Sequence, residues 1–278
     1  MKIGYLGPSG TYSEEAAYQY RPDAEMVAYP SIPAVVDAVE KREVDRCVVP
    51  IENSLYGAIT DVLDFLVRTD DIFIAGELAI PIDHCLMARP GTALADIKVV
   101  YSHPQSLGQS RRYLESTLSH AQAIASLSNA QAVIDMRESD TTAGAIAPRR
   151  AAEIYGAEII AEAIQDNPNN YTRFVVLDDS DRPPTGRDMT SVAFRFSEDE
   201  PGLLYRSLGV LRENSINMVK IESRPTGERL GRYTFLIDME VHRADPVGVE
   251  TIEKLREMSS WFKVFGSYPR MTAPPIRS

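Results

Sequence analysis

Cysteine is scarce in this 278-residue chain: only Cys47 and Cys85, both among apolar neighbours. Two such residues make neither a disulfide framework nor a zinc set, and they read as buried, reduced thiols. Histidine occurs four times, with no His or Cys pair at metal-ligand spacing. There is no Gly-x-Gly-x-x-Gly loop, no Walker loop and no Gly-x-Ser-x-Gly elbow, so nucleotides, redox cofactors and catalytic metals have no sequence support. No apolar run approaches the roughly 20 residues of a membrane span. The start, Met1 to Gly7, turns into a Gly/Pro/Ser loop without a secretory apolar core and reads as a mature cytoplasmic N-terminus. Basic excess is also missing. Lys and Arg number 29 against 40 Asp and Glu, a net charge of −11, of which residues 1–180 carry −12 and residues 181–278 carry +1. Such a chain is poorly suited to nucleic acid or anionic membrane. Any anion held by its acidic part needs a few locally placed donors.

What remains is ordinary globular protein, 44% hydrophobic and 25% charged, long enough for about two domains. The first 180 residues alternate strand and helix patterns. Lys2–Leu6 reads as a strand, with a helix from about Tyr12 whose start has Thr11 and Glu14 at capping-box spacing. Glu25–Tyr29 is a second strand, and Ser31 caps a helix carrying Val35, Val36 and Val39. Arg46–Ile51 is a third strand, and Ile59, Leu63 and Leu66 mark a further helix. This rhythm predicts α/β layers with a mainly parallel sheet. A second such unit follows: strand Ile97–Tyr101, one helix over about Gln105–Leu118, another over Ala130–Arg137, and a short strand Gly144–Ala147. Tyr171–Leu177 is a late return strand. Two lobes with a late return predict a bilobal domain with a ligand cleft between them.

Asp178 to Asp188, polar with two prolines, reads as a linker. Beyond it, Val192/Phe194/Phe196, Ile216–Ser223, the alternating Tyr233–Val241 and Phe262–Tyr268 predict four strands. Leu204/Leu208/Leu211 and Val249/Ile252/Leu255 predict two helices. The order βαββαβ is ferredoxin-like.

Four segments look chemically specialised. Gly7-Pro8-Ser9-Gly10-Thr11-Tyr12-Ser13-Glu14 offers N–H groups and hydroxyls at a helix start, suited to a carboxylate or phosphate; the plainer account is an N-cap and a turn. Pro50 to Gly57 ends a strand in Glu52, Asn53 and Ser54, at a cleft edge or as caps of the next helix. Ser102-His103-Pro104-Gln105 repeats that punctuation, with His103 a proton carrier or a structural cap. Asp166 to Phe174 places Arg173 at a strand start in an acidic domain, where anion binding and a salt bridge are both open.

In this order the segments resemble prephenate dehydratase over nearly the whole chain. The likeness rests on Gly-Pro-x-Gly-Thr-Tyr-Ser-Glu at Gly7–Glu14, Pro-Ile-Glu-Asn-Ser-x-x-Gly at Pro50–Gly57, and Glu77 with His84. It continues through Ser-His-Pro-Gln at Ser102–Gln105 and Asp-x-x-x-Asn-x-Thr-Arg-Phe at Asp166–Phe174. Ser106 and Ser110 stand where the family often has Ala and Cys. The C-terminal unit resembles the family's ACT regulatory domain: Glu222-Ser223-Arg224-Pro225 matches in full, Pro201-Gly202-Leu203-Leu204 replaces a common Gly-Ala-Leu-Val, and Asn217 precedes Met218-Val219 where Leu-Thr is common.

The resemblance implies a periplasmic-binding-protein-like catalytic domain over 1–180 and an ACT domain over 188–278. Lobe 1 would take about 1–82 and 163–180, and lobe 2 about 83–162. The implied activity is decarboxylating dehydration of prephenate to phenylpyruvate, water and CO2, without cofactor or metal, feedback-regulated by L-phenylalanine in a homodimer or homotetramer. The chain begins at the first dehydratase motif, so the chorismate mutase domain of bifunctional relatives is not expected. Thr172 is expected to donate to the departing hydroxyl, Arg173 to hold a substrate carboxylate, and Phe174 to pack beside them. Thr11, Asn53, Ser54, Gly57, Ser102, His103 and Gln105 are expected to line the substrate site. The expected effector residues are Gly202, Leu203, Leu204, Asn217, Met218, Glu222, Ser223 and Arg224. Arogenate dehydratase and a non-catalytic amino-acid-binding protein are the alternatives.

Overall fold

In the computed structural model, residues 1–197, 200–227 and 231–277 are described. Lobe 1 begins with β1 (Lys2–Leu6), α1 (Tyr12–Tyr20), β2 (Glu25–Tyr29), α2 (Ile32–Glu40), β3 (Arg46–Asn53), β4 (Gly57–Ala58), α3 (Thr60–Arg68) and β5 (Phe73–Pro81). Side-chain caps start the first two helices: Thr11 accepts from Glu14 N–H and Ser31 from Ala34 N–H. Lobe 2 holds β6 (Cys85–Ala88), β7 (Val99–Ser102), α4 (Pro104–Gln109), α5 (Arg111–Thr117), β8 (Gln122–Ala125), α6 (Asn129–Glu138), β9 (Ala143–Ala147), α7 (Arg149–Tyr155) and β10 (Glu158–Ala161). The chain then returns to lobe 1 as β11 (Tyr171–Asp178).

The lobe 1 sheet runs β2-β1-β3-β11-β5. Only β2, β1 and β3 are parallel, while β11 is antiparallel to both neighbours, so the sheet is mixed rather than mainly parallel. The late strand arrives from lobe 2 and must enter from the opposite end. The two crossovers between lobes bond to each other, Ile82 N–H to Asn170 O at 2.8 Å and Ile164 N–H to His84 O at 3.0 Å. The single helix expected over Gln105–Leu118 is two helices. The return crossover interrupts it, because Asp166 N–H takes the Gln109 carbonyl at 2.6 Å while the Asp166 carboxylate accepts from Arg112 N–H.

The C-terminal unit comprises β12 (Asp188–Arg195), α8 (Leu203–Glu213), β13 (Met218–Pro225), β14 (Tyr233–Met239), α9 (Pro246–Glu257) and β15 (Trp261–Pro269). Its antiparallel sheet has the order β13-β14-β12-β15, the expected ferredoxin-like arrangement. Val192, Phe194, Ile237 and Met239 pack with Val210, Leu211, Ile252 and Leu255 as one core. The sheet's other face does not meet water. Met189, Ala193, Leu236, Phe265 and Tyr268 share a core with Val49, Ile74, Val175 and Leu177 of lobe 1. Gly266 makes that approach possible, since a Cβ there would sit 2.3 Å from the Ile74 carbonyl oxygen. The chain end crosses back to the lobe junction, where Arg277 exchanges two hydrogen bonds with Asn169 and reaches Asp83 at 2.6 Å.

Candidate active site

Thr172 and Asn53 face each other across β11 and β3, at the end of the sheet where the chain crosses between lobes. Asn53 closes a tight hairpin turn: its Oδ1 accepts from Leu55 N–H at 3.0 Å and Tyr56 N–H at 3.2 Å. With the oxygen so held, Nδ2 donates to Asn170 Oδ1 at 2.8 Å, Thr172 Oγ1 at 3.0 Å and the Tyr171 carbonyl at 3.2 Å. All three side chains are buried. The Thr172 oxygen therefore accepts, and its proton is left to donate. Asn170 Nδ2 is buried with no partner, a state that costs about 1–3 kcal/mol. Asn170 joins this cluster although the sequence marks it only as a letter of the Asp166–Phe174 motif. Ser54 and Gly57 belong to the same turn but are exposed. Ser54 Oγ donates to Asn169 O and accepts from Tyr171 N–H, fastening the hairpin to β11, and Gly57 supplies the φ of +79° the turn needs.

Arg173 points away from the Thr172–Asn53 cluster. Adjacent residues of a strand point to opposite faces, so Arg173 turns toward the C-terminal domain. Nε donates to Glu77 at 2.7 Å, Nη1 to Asp238 at 2.7 Å, and Nη2 to the Tyr268 hydroxyl at 3.1 Å. Glu52 stands 3.6 Å from Nη1. Burial opposes the charge, but Tyr268, Asp238 and Glu77 together hold the guanidinium pKa above its ordinary value. Three carboxylates surround this cation, so its donors are engaged within the protein. Phe174 returns to the Thr172 face and packs in the core with Ile3, Tyr5, Val48 and Ile80.

The Gly7–Glu14 loop is likewise already occupied. The Gly10 N–H that could cradle a substrate anion donates to Glu14 Oε2 at 2.8 Å, and Arg150 of lobe 2 reaches the same oxygen at 2.8 Å. Tyr5 donates to Glu14 Oε1 at 3.1 Å and Tyr155 to the Ser9 carbonyl at 2.8 Å. Thr11 Oγ1 caps α1 and donates to Leu6 O. The motif is an interlobe joint, with its own carboxylate in the place foreseen for the ligand's. Gly10, at φ +87°, fits because a Cβ would press on Tyr155 and Ala151 at 3.1–3.2 Å.

In lobe 2, Ser102 is fully buried and donates to the Ile146 carbonyl at 2.7 Å, so its hydroxyl serves the fold instead of the expected substrate contact. Ser106 donates to Asn129 Oδ1 at 2.9 Å. His103 Nδ1 accepts from Gln105 N–H as the cap of α4, and burial pushes its pKa down. Gln105 is half-buried. His84 is fully buried between the lobes, with Nε2 2.7 Å from Gln109 Oε1 and Nδ1 2.8 Å from the Tyr12 hydroxyl. Burial lowers its pKa against the opposing Gln109 bond and Asp83 charge, so the ring is neutral. Gln109 lies four residues after Gln105, one turn on along the same pattern, which was its only signal in the sequence.

In the C-terminal domain, Asn217 and Met218 line a cavity of about 410 Å³ with Leu208, Leu211, Arg212, Ser215 and Ile216. Gly202 (φ +89°) caps α8, whose first residues are Leu203 and Leu204. Glu222, Ser223 and Arg224 lie on β13. Arg224 reaches Asp64 of α3 in lobe 1 at 2.9 Å. Both cysteines are buried and unbonded, and burial pushes their pKa values up. Among the described residues, no cluster of three His, Cys, Asp or Glu is arranged to hold a metal ion, and no helix is long and apolar enough to cross a membrane.

Comparison with known proteins bears on this geometry. A family model described as prephenate dehydratase matches residues 3–182, and one described as the ACT domain matches residues 190–257. The bifunctional chorismate mutase/prephenate dehydratase of Aquifex aeolicus is 38% identical over 97% of this chain and 74% of its own length. Arogenate dehydratase/prephenate dehydratase 2 of Arabidopsis thaliana chloroplasts is 36% identical over 97% of this chain and 73% of its own. The crystal structure of the Arthrobacter aurescens prephenate dehydratase in complex with L-Phe superposes with a TM-score of 0.90 at 33% identity, covering 97% of this chain and 90% of that one.

Proposed function

The chain belongs to the prephenate dehydratase family and carries an ACT domain, and from that premise we propose that it converts prephenate to phenylpyruvate, water and CO2. One observation carries the catalytic assignment: Asn53 donates to Thr172 Oγ1, which leaves the threonine proton free for a departing hydroxyl. In the reaction the bond between ring and carboxylate breaks, its electron pair enters the ring, and the ring C–O bond breaks at the far side. The departing hydroxide takes one proton, drawn from solvent, and leaves as water. A threonine hydroxyl is too weak an acid to ionise at neutral pH, so Thr172 acts by hydrogen bonding as charge develops on the leaving oxygen. Asn170 Nδ2 supplies a second neutral donor to the substrate, and Asn53 orients both. Nearby amides and hydroxyls, rather than Arg173, bind the substrate's oxygens.

L-Phenylalanine is the effector, held at the cavity beside Asn217 and Met218, where apolar walls suit its ring and Arg212 its carboxylate. β13 is an edge strand that exposes Val219 and Ile221, a surface suited to pairing subunits of a homo-oligomer. The enzyme works in the cytoplasm.

The test is turnover of purified protein with prephenate and with arogenate, following phenylpyruvate absorbance and phenylalanine release. Phenylpyruvate formation from prephenate is expected. Faster turnover of arogenate would transfer the assignment to that substrate, and no product from either would overturn it.

A further inference from the structure

Arg173 joins the two domains at the residue next to Thr172. On the catalytic side its guanidinium is held by Glu77, and on the other by Asp238 of β14 and Tyr268 of β15. Those two are locked to each other: Ser191 of β12 donates to Asp238 Oδ1 at 2.6 Å, and its hydroxyl lies 2.7 Å from that of Tyr268. Three neighbouring strands of the C-terminal sheet thus hold Arg173 as one unit, and a shift of that sheet pulls on the guanidinium. The register of β11 against β3 slips between Arg173 and Phe174, where β3 carries Ile51 as an extra residue, so the ladder that holds Thr172 to Asn53 is interrupted immediately beside that pair.

We infer that Arg173 and Asp238 are the positioning pair through which the C-terminal domain acts on Thr172, so that effector binding reaches catalysis by moving this ion pair. The inference rests on the reading of L-phenylalanine as effector and Thr172 as donor. An effector alters activity by binding two states with different affinity, and here those states must differ in the geometry around Thr172. Lys220 of β13 meets Glu52 at 3.0 Å and belongs to the same joint, since Glu52 also stands 3.6 Å from Arg173, whereas two other cross-domain pairs lie away from Thr172. Lys263 lies 3.4 Å from Asp70, which is 91% exposed, and Arg224–Asp64 anchors to α3.

The experiment uses the full chain, comparing wild type with Asp238→Asn, Tyr268→Phe and, as a cross-domain control, Asp70→Asn. Prephenate turnover is measured with and without saturating L-phenylalanine, and L-phenylalanine binding by calorimetry. Asp238→Asn is expected to bind L-phenylalanine within threefold of wild type, yet to keep at least fivefold more activity at saturation. Tyr268→Phe, the milder change, is expected to fall between, and Asp70→Asn to be inhibited like wild type. Full inhibition of both Asp238→Asn and Tyr268→Phe would overturn the inference, as would equal loss of inhibition in Asp70→Asn. Wild type that neither binds L-phenylalanine nor is inhibited by it would remove the effector reading itself, and the relay with it.

Discussion

Asn53 holds Thr172 in a one-way hydrogen bond. Because the Asn53 oxygen is taken by the N–H groups of Leu55 and Tyr56, its amide nitrogen faces Thr172 Oγ1 at 3.0 Å and can only donate. The direction of that bond decides what the threonine can offer a substrate.

Thr172→Ala removes the donated proton. kcat should fall about 100-fold or more, the usual size for losing one positioned hydrogen-bond donor to developing charge, with KM moving only a few-fold. Steady-state kinetics check this, and wild-type kcat would take Thr172 out of the mechanism.

Asn53→Asp keeps the shape and reverses the bond. A carboxylate can only accept, so it captures the Thr172 proton and also loses its donation to Asn170. The expected kcat is as low as that of Thr172→Ala although the hydroxyl is still present. Activity near wild type would show that bond direction is immaterial.

Arg173→Ala leaves Glu77 and Asp238 facing each other without their cation. Breaking such a buried group typically costs about 3–5 kcal/mol, which urea denaturation would read directly. Unchanged stability with a raised KM would instead return Arg173 to the substrate.

His84 sets a pH dependence of stability. Its folded pKa lies below the ordinary 6.5, so between those two values the unfolded chain binds a proton that the folded chain refuses. Stability should fall as pH drops from about 6.5 through the lower folded value. Denaturation midpoints at pH 7.5 and 5.5 should converge in His84→Gln, with His103, lowered in the same direction, still present. An identical acid slope in the variant would assign the dependence elsewhere.

Much of the fold could be read locally. Thr11 and Ser31 cap the helices expected of them, and the alternation of Tyr233, Phe235, Ile237 and Met239 is a strand. β5, β8 and β10 escaped notice because their burial is irregular along the strand, leaving no clean period-two signal. The orientation of Arg173 was also legible. Two neighbours in one strand cannot line the same side of a sheet, and Tyr171–Leu177 already read as a strand. Glu14 is subtler: the loop does attract a carboxylate, but the chain supplies its own.

By itself the sequence determined the family and most of the helices and strands, because those depend on residue identity, short-range periodicity and motif order. Only the tertiary structure decided which groups remain free. Whether a hydroxyl, amide or guanidinium is available depends on partners far away in the chain, as Asp238 is from Arg173 and Asn53 from Thr172, and no local pattern records who has already taken the bond.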